Sequence, residues 1–334
     1  MNGQSDVHSV LADHIRTFLA HQRALGKRFE TEEAGLHQLE RYLLVQQVTT
    51  LEAITPAVLE AFVLSHPRQP RSVNSLLSTL RRFFGWLVFH EVLIQSPLKS
   101  QPRCCPPPRR PFIFDRLQAQ RLLEAAAHLR EGPHGYDRGP TYQLALTLMY
   151  ALGLRVGEVA RLCRQDVDLV RQLLVIRQTK FAKSRLVPFG PRLAARVAAY
   201  LHHAEQTCGP LQPAHPFLSV AREKTSPLGS KAISHVFHQL IPQLKLTIPP
   251  GVEPPRAHHL RHSFAVGTLL RWYREGINPA ERLLHLSTFL GHVDPSSTAV
   301  YLTITAELLQ EASDRFARFA APLLTEVHAC PRQP

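Results

Sequence analysis

Between Pro97 and Pro111 the chain places six prolines in fifteen residues, PLKSQPRCCPPPRRP. Each proline fixes φ and lacks an N–H, and the residue before it is pushed out of helical space, so no helix or sheet interior runs through this stretch. The chain is therefore two folding problems joined by a stiff, extended connector. With 334 residues there is enough polypeptide for two cores. The expected organisation is a first domain over 1–98, a linker over 99–111 and a second domain over 112–334.

Ahead of the prolines the pattern is helical. Val7, Val10, Leu11, Ile15, Phe18 and Leu19 share one helix face, and Gly26 is a stop signal. A second amphipathic helix carries Leu36, Leu39, Tyr42 and Leu43. Thr55-Pro56 reads as an N-cap followed by proline at the first helical position. A fourth helix is expected to open at Ser72, with Leu76, Leu77, Leu80, Phe83, Phe84 and Leu87 inward and Arg81 and Arg82 outward. Four such helices make a small bundle. Beyond residue 112 the pattern is again mostly helical, apart from LLVIRQTKFAKSRLVPFG at 173–190, two β-rich runs around a cationic turn. The predicted class is mainly α with a small β hairpin.

Net charge is +13 with histidine neutral. Such an excess points to a polyanionic partner, nucleic acid or an anionic membrane surface. The longest apolar run, Leu144 to Leu154, has about half the length a bilayer crossing needs, and Arg155 closes it. A basic amphipathic helix with a bulky apolar face and a lipidation motif are both lacking, which disfavours the membrane. The first residues, MNGQSDVHSV, lack the pattern of a secretory signal, so a cytoplasmic, nucleoid-associated location is expected. Five cysteines without a CxxC suit neither a disulfide framework nor a cysteine zinc site.

Four islands in the second half carry residue types that are costly to place. Arg155 ends the most apolar helix, with Glu158 three residues on; an ion-paired structural arginine is the plain alternative. Lys180, Lys183 and Arg185 sit at the hairpin, where a solvated turn is the plain alternative. In RAHHLRHSF at 256–264, His258 and Arg261 are three apart and can reach one anion from one helix side. His259 and His262 share the other such register. HExxH is absent, so no metal is expected there. In LGHVDPSSTAVYL at 290–302, Gly291 ends a helix, His292 sits in the bend, and Tyr301 lies on a short helix that Ser296 or Ser297 is expected to cap. Two guanidiniums, two imidazoles, a lysine and a phenol suit metal-free attack on a phosphodiester. Guanidiniums neutralise developing charge, the phenol forms a phosphoester that conserves bond energy, and the lysine protonates the departing oxygen. No cofactor is then needed.

The ordered set Gly-Leu-Arg-Val-x-Glu at 153–158, the lysine hairpin, His-x-x-Arg-His at 258–262, Leu-Gly-His at 290–292 and Tyr301 resembles the tyrosine recombinases of the phage integrase family. The resemblance spans nearly the whole chain and implies an N-terminal helical core-binding bundle and a C-terminal mixed α/β catalytic domain. It implies that Arg155 and Arg261 clamp the scissile phosphate, that His258 and His292 hydrogen-bond it and assist proton transfer, that Glu158 buttresses the first arginine, and that Tyr301 is the nucleophile. TKFAKSR aligns with the usual lysine run and makes Lys180 the hairpin acid, with Lys183 in support, although Thr179 and Phe181 stand where small glycines are expected. Double-stranded DNA is the implied partner, with two protomers on one site and four in synapsis. Arg68, Arg71, Arg81, Arg82, Arg103, Arg109 and Arg110 are the expected backbone contacts, each with a solvated surface as its alternative. A type IB topoisomerase and a catalytically silent DNA-binding protein are the rival readings. His258, where topoisomerases carry lysine or arginine, and the completeness of the set argue against them.

Overall fold

The computed structural model describes residues 9–27, 29–107, 109–131, 138–177, 184–221, 225–292, 294–303, 308–311, 313–314 and 316–317. The chain divides into two compact units, Met1–Pro108 and Arg109–Pro334.

The first unit contains α1 (Ala12–Ala24), α2 (Glu30–Val45), α3 (Pro56–Leu64) and α4 (Pro70–Phe89). Their apolar faces enclose one core in which Phe18 meets Phe29, Phe83 and Trp86 edge-on. Thr55 caps α3 through its hydroxyl, which accepts from Val58 N, with Pro56 at the first helical position as expected. α4 opens at Pro70, two residues before the expected Ser72, because the fixed φ of proline suits the first helical position. Part of the proline-rich stretch is tied to this unit. Arg81 donates to Ser100 O, and Asn74 brackets the backbone of Arg103 with one accepted and one donated bond.

The second unit is built around α6 (Arg138–Leu152), whose residues Leu144 to Met149 are buried on successive faces. Around it lie α5 (Arg116–Ala127), α7 (Val156–Ala160), α8 (Pro191–Cys208), α9 (Ser230–Leu240), α10 (His259–Arg274), α11 (Pro279–Leu290) and α12 (Ser296–Ala299). The expected hairpin is part of an antiparallel sheet in the order β1 (Val167–Asp168), β2 (Leu173–Ile176), β3 (Arg185–Pro188). Leu174 pairs with both Val167 and Val187, and these three side chains enter the core. A smaller cluster of Ala265, Val266, Leu269, Leu286, Leu290, Tyr301 and Leu308 joins α10 and α11 to the turn after α12. Leu308 is buried in this cluster, whereas Leu309 and Phe316 are exposed. No helix among the described residues is long and apolar enough to cross a membrane.

Candidate active site

The last carbonyls of an α-helix have no partner within the helix, and guanidiniums are natural donors to them. Two helices end side by side in this way. α6 turns off at Gly153 (φ +61°) and α11 at Gly291 (φ +69°). Arg261, in the first turn of α10, donates from Nη1 to Gly153 O and from Nη2 to Leu290 O, both at 2.7 Å. Arg155 donates from Nη2 to Gly291 O at 3.1 Å and from Nη1 to Leu290 O at 3.5 Å. Two arginines 106 positions apart in sequence thus share one carbonyl, which fixes them as a pair.

Both glycines are required by space as well as by φ. A Cβ on Gly153 would lie 2.6 Å from the Phe264 ring and 2.8 Å from Leu290, and one on Gly291 would lie 2.8 Å from Arg185 Nη1.

Glu158 is 3% exposed and joins the arginines to the sheet. Its Oε1 accepts from Arg155 Nη1 at 2.8 Å, and its Oε2 accepts from Arg155 N at 2.9 Å. Arg185 donates to both oxygens at 2.9 Å and from Nε to Phe289 O. The solvated-turn alternative is thereby corrected for Arg185: it starts β3 facing inward and lies in a buried, bidentate ion pair. Burial pushes the Glu158 carboxyl up, but the hydrogen bond and charge of Arg185, followed by those of Arg155, prevail and hold it at about 2.

The imidazoles and the phenol lie on the same face. His258 precedes α10 at its N-cap position and is exposed. Its ring meets that of His262 edge-on at 4.8 Å. His262 Nδ1 is 2.8 Å from Tyr301 Oη. His292 lies almost parallel to the Tyr301 ring, with centroids 6.4 Å apart, and its Nδ1 is 2.6 Å from Thr298 Oγ1. Desolvation, then Arg261 and Arg155, hold His258 and His292 down at about 4. Desolvation and the neighbouring histidines hold His262 at about 3. All three rings are therefore neutral at pH 7. Tyr301 is 3% exposed; burial pushes its phenol up, while Arg261 and Arg155 pull the other way. Burial also lowers Arg261, which nonetheless stays cationic because a guanidinium starts so high.

Tyr301 sits in a 3₁₀ turn, Val300–Thr303, one step beyond α12. The expected serine cap is corrected: α12 follows Pro295 without a side-chain cap, and Asp294 instead accepts from Ser296 N and Oγ. Lys180 and Lys183 lie outside the described residues. The structure thus brings Arg155, Glu158, His258, Arg261, His292 and Tyr301 together. Three further residues join them that the sequence pattern did not single out for a role: Arg185, His262 and Thr298. The signal for His262 was present, since it lies four residues, one helical turn, after His258.

Among the candidate DNA contacts, Arg71, Arg103, Arg109 and Arg110 are exposed. Arg68 lies over the Phe62 ring and bonds Gln38, Arg82 lies over Phe29 beside Glu32, and Arg81 is engaged with Ser100. Three histidines within five residues invite a metal, but His259 turns away. Its Nδ1 accepts from Arg256 N and its Nε2 lies 3.5 Å from Glu253. Among the described residues no group of three His, Cys, Asp or Glu could hold a metal ion.

The sequence profile described as the phage integrase family matches residues 114–307. A Sinorhizobium fredii (strain NBRC 101917 / NGR234) protein provisionally named integrase/recombinase y4rB is 33% identical over 319 residues, covering 93% of this chain and 98% of its own. Tyrosine recombinase XerA of Thermococcus kodakarensis is 28% identical over 73% of this chain and 75% of its own. In fold, the chain is similar to the Tn1549 transposon integrase in complex with a circular intermediate DNA, with TM-score 0.65 and 14% identity over 92% of this chain and 99% of that one. It is similar as well to a lambda integrase tetramer bound to a Holliday junction, with TM-score 0.59 and 18% identity over 89% of this chain and 78% of that one.

Proposed function

The chain belongs to the phage integrase family, and from that premise we propose that it is a site-specific recombinase that cuts and rejoins double-stranded DNA through a 3′-phosphotyrosyl link at Tyr301. One observation supports this above the rest: a buried phenol lies against His262 and His292, on the same face as two guanidiniums that share the Leu290 carbonyl.

Arg155, half-buried and rigidly held by Glu158, offers its remaining N–H groups to the non-bridging oxygens of the scissile phosphate, and Arg261 reaches it from below. Their charge is fixed before substrate arrives, so it costs no reorganisation as negative charge grows on phosphorus. His258, at the positive end of the α10 dipole, and His292, oriented through Thr298, bond the same phosphate. The Tyr301 oxygen attacks phosphorus, the bond to the 5′ oxygen breaks, and Lys180 protonates that oxygen. The 5′ hydroxyl of a partner strand then reverses the step, so the energy of the bond is carried by the phosphotyrosine and no cofactor is spent.

Arg68, Arg71, Arg81, Arg82 and Arg103 of the first unit, and Arg109 and Arg110 of the second, contact backbone phosphates. Two copies occupy one site and four assemble in synapsis; the likeness to a lambda integrase tetramer on a Holliday junction supports this. The similarity to y4rB and to a transposon integrase supports action on a DNA element that is inserted, excised or transposed.

The test is a nicked duplex that traps the cleaved state. Tyr301→Phe is expected to bind this duplex as the unaltered protein does and to form no covalent protein–DNA adduct. An adduct from Tyr301→Phe overturns the assignment of the nucleophile. Relaxation of supercoiled DNA lacking any specific site, without recombinant products, favours a topoisomerase.

A further inference from the structure

Attack by Tyr301 leaves a phenolic proton to be placed. At neutral pH the phenol is protonated, and its burial strengthens the O–H form. Deprotonation has to accompany bond formation, and the acceptor must lie within hydrogen-bond reach of Oη. The His292 ring is stacked beside the phenol, and its Nδ1 is taken up with Thr298. His258 meets His262 edge-on and stands at the exposed rim. Among the described residues, the nitrogen within hydrogen-bond distance of Oη is His262 Nδ1, at 2.8 Å.

We infer that His262 is the general base that takes the proton of Tyr301 during cleavage and returns it during rejoining. The inference rests on Tyr301 being the nucleophile. In the forward step an Oη lone pair forms the bond to phosphorus, the Oη proton passes to the bare Nδ1, and the electron pair of the breaking P–O bond stays on the 5′ oxygen. The 5′ oxygen takes its proton from Lys180, the acid proposed above, so the products are a phosphotyrosine, a 5′ hydroxyl, a neutral Lys180 and a His262 imidazolium. In the reverse step the imidazolium returns its proton to Oη as the phenol leaves.

The surroundings suit both directions. His262 projects from the second turn-position of α10, one turn beyond His258, so the helix fixes it relative to the phosphate-binding rim. Arg261 and His258 face it from its own helix, His259 lies 5.7 Å away ring to ring, and His292 faces it from the bend after α11. Burial first, and then these neighbours, keep the free ring neutral, the form a base requires. A phosphodiester bound between Arg155, Arg261 and His258 brings a negative charge that offsets the same cations and raises the basicity of His262 when substrate is in place. Glu253 lines a cavity of about 240 Å³ with His259, His262 and Tyr301, and its carboxylate lies 3.5 Å from His259 Nε2.

The experiment measures single-turnover cleavage of the nicked duplex by His262→Gln and His262→Asn, with two leaving groups. One duplex carries the natural bridging 5′ oxygen and the other a bridging 5′ sulfur, whose thiolate departs without an acid. Both variants should bind DNA as the unaltered protein does and cleave about 10²–10⁴-fold more slowly, the usual contribution of a general base. The defect should be equal for oxygen and sulfur, because the nucleophile is affected and the leaving group is not. The unaltered protein should lose rate on the acid side as His262 protonates, whereas the variants should gain about tenfold per pH unit as hydroxide takes over.

Cleavage within threefold of the unaltered protein overturns the inference. Rescue by sulfur also overturns it, because His262 would then act on the 5′ oxygen. Loss of DNA binding together with cleavage in both variants assigns His262 a structural role. An adduct that survives Tyr301→Phe defeats the underlying assignment instead, and so is separable from failure of His262 alone.

Discussion

Glu158 carries more structural consequence than its single negative charge suggests, because two guanidiniums from different elements converge on it. Removing one partner of a buried ion pair leaves the other charge uncompensated, at a cost of about 3–5 kcal/mol. Glu158→Ala is therefore expected to lower stability by that order in denaturant titration, and a loss under about 1 kcal/mol would contradict the reading of Arg185 as buried and dependent on it. Acid should act in the same direction. Glu158 is held at about 2 against an ordinary 4.5, so its contribution is present above pH 4.5 and lost toward pH 2. The neutral histidines behave alike: the unfolded chain takes up their protons below about 6.5, while the folded protein resists until about 4 for His258 and His292 and about 3 for His262. Thermal stability should accordingly begin to fall as pH drops below 6.5, and it should fall further below 4.5. A melting temperature unchanged between pH 7 and pH 5 would contradict the neutral state of these rings. Most of this residue-level chemistry was legible in the sequence, because Arg155, Glu158, His258, Arg261, His292 and Tyr301 stand in a characteristic order. Arg185 was not: beside Lys183 in the sequence it looks like part of an exposed cationic tip, and only the pairing of β2 with β3 turns it inward.

Helix ends hold the site together. Gly153 and Gly291 stop α6 and α11 in the left-handed region and let the backbone carbonyls meet Arg155 and Arg261. Alanine at either position pays for a left-handed backbone, about 1–2 kcal/mol. At Gly153 the new methyl also meets Phe264 and Leu290, adding an overpacking cost of about 1–3 kcal/mol. Gly153→Ala should be the more destabilising of the two, measured by equilibrium unfolding. Gly291→Ala should instead displace the Arg185 guanidinium and slow cleavage more than it lowers stability. Equal effects on both quantities in both variants would contradict this division. The sequence announced the end at Gly291, whereas the apolar helix read as ending at Arg155 stops earlier, at Leu152, with Gly153 beyond it. It was less informative for the segment carrying Tyr301. There a short helix, a 3₁₀ turn and Thr298 are positioned by contacts with α10 and α11, which local sequence does not encode.

Across the whole molecule the excess of positive charge is the property that bears on DNA. Binding that neutralises phosphates releases counterions, so log Kobs should fall linearly with log salt concentration, by about 0.9 per phosphate contacted. Arg71→Ala and Arg103→Ala, at exposed positions of the first unit, should each weaken binding to specific and unrelated duplexes alike and flatten that slope by about 1. An unchanged slope would remove them from the DNA interface. The fate of the residues in the proline-rich stretch was not readable from composition: Ser100 and Arg103 are bonded to α4, while Arg110 pairs its backbone with Gly251 and Glu253. The central claim, that the Tyr301 oxygen becomes bonded to phosphorus, is tested most directly by digesting the trapped protein–DNA adduct and locating the nucleotide by mass spectrometry. A 3′-phosphonucleotide on the peptide containing Tyr301 is the expected result; the same mass on any other residue would contradict the account.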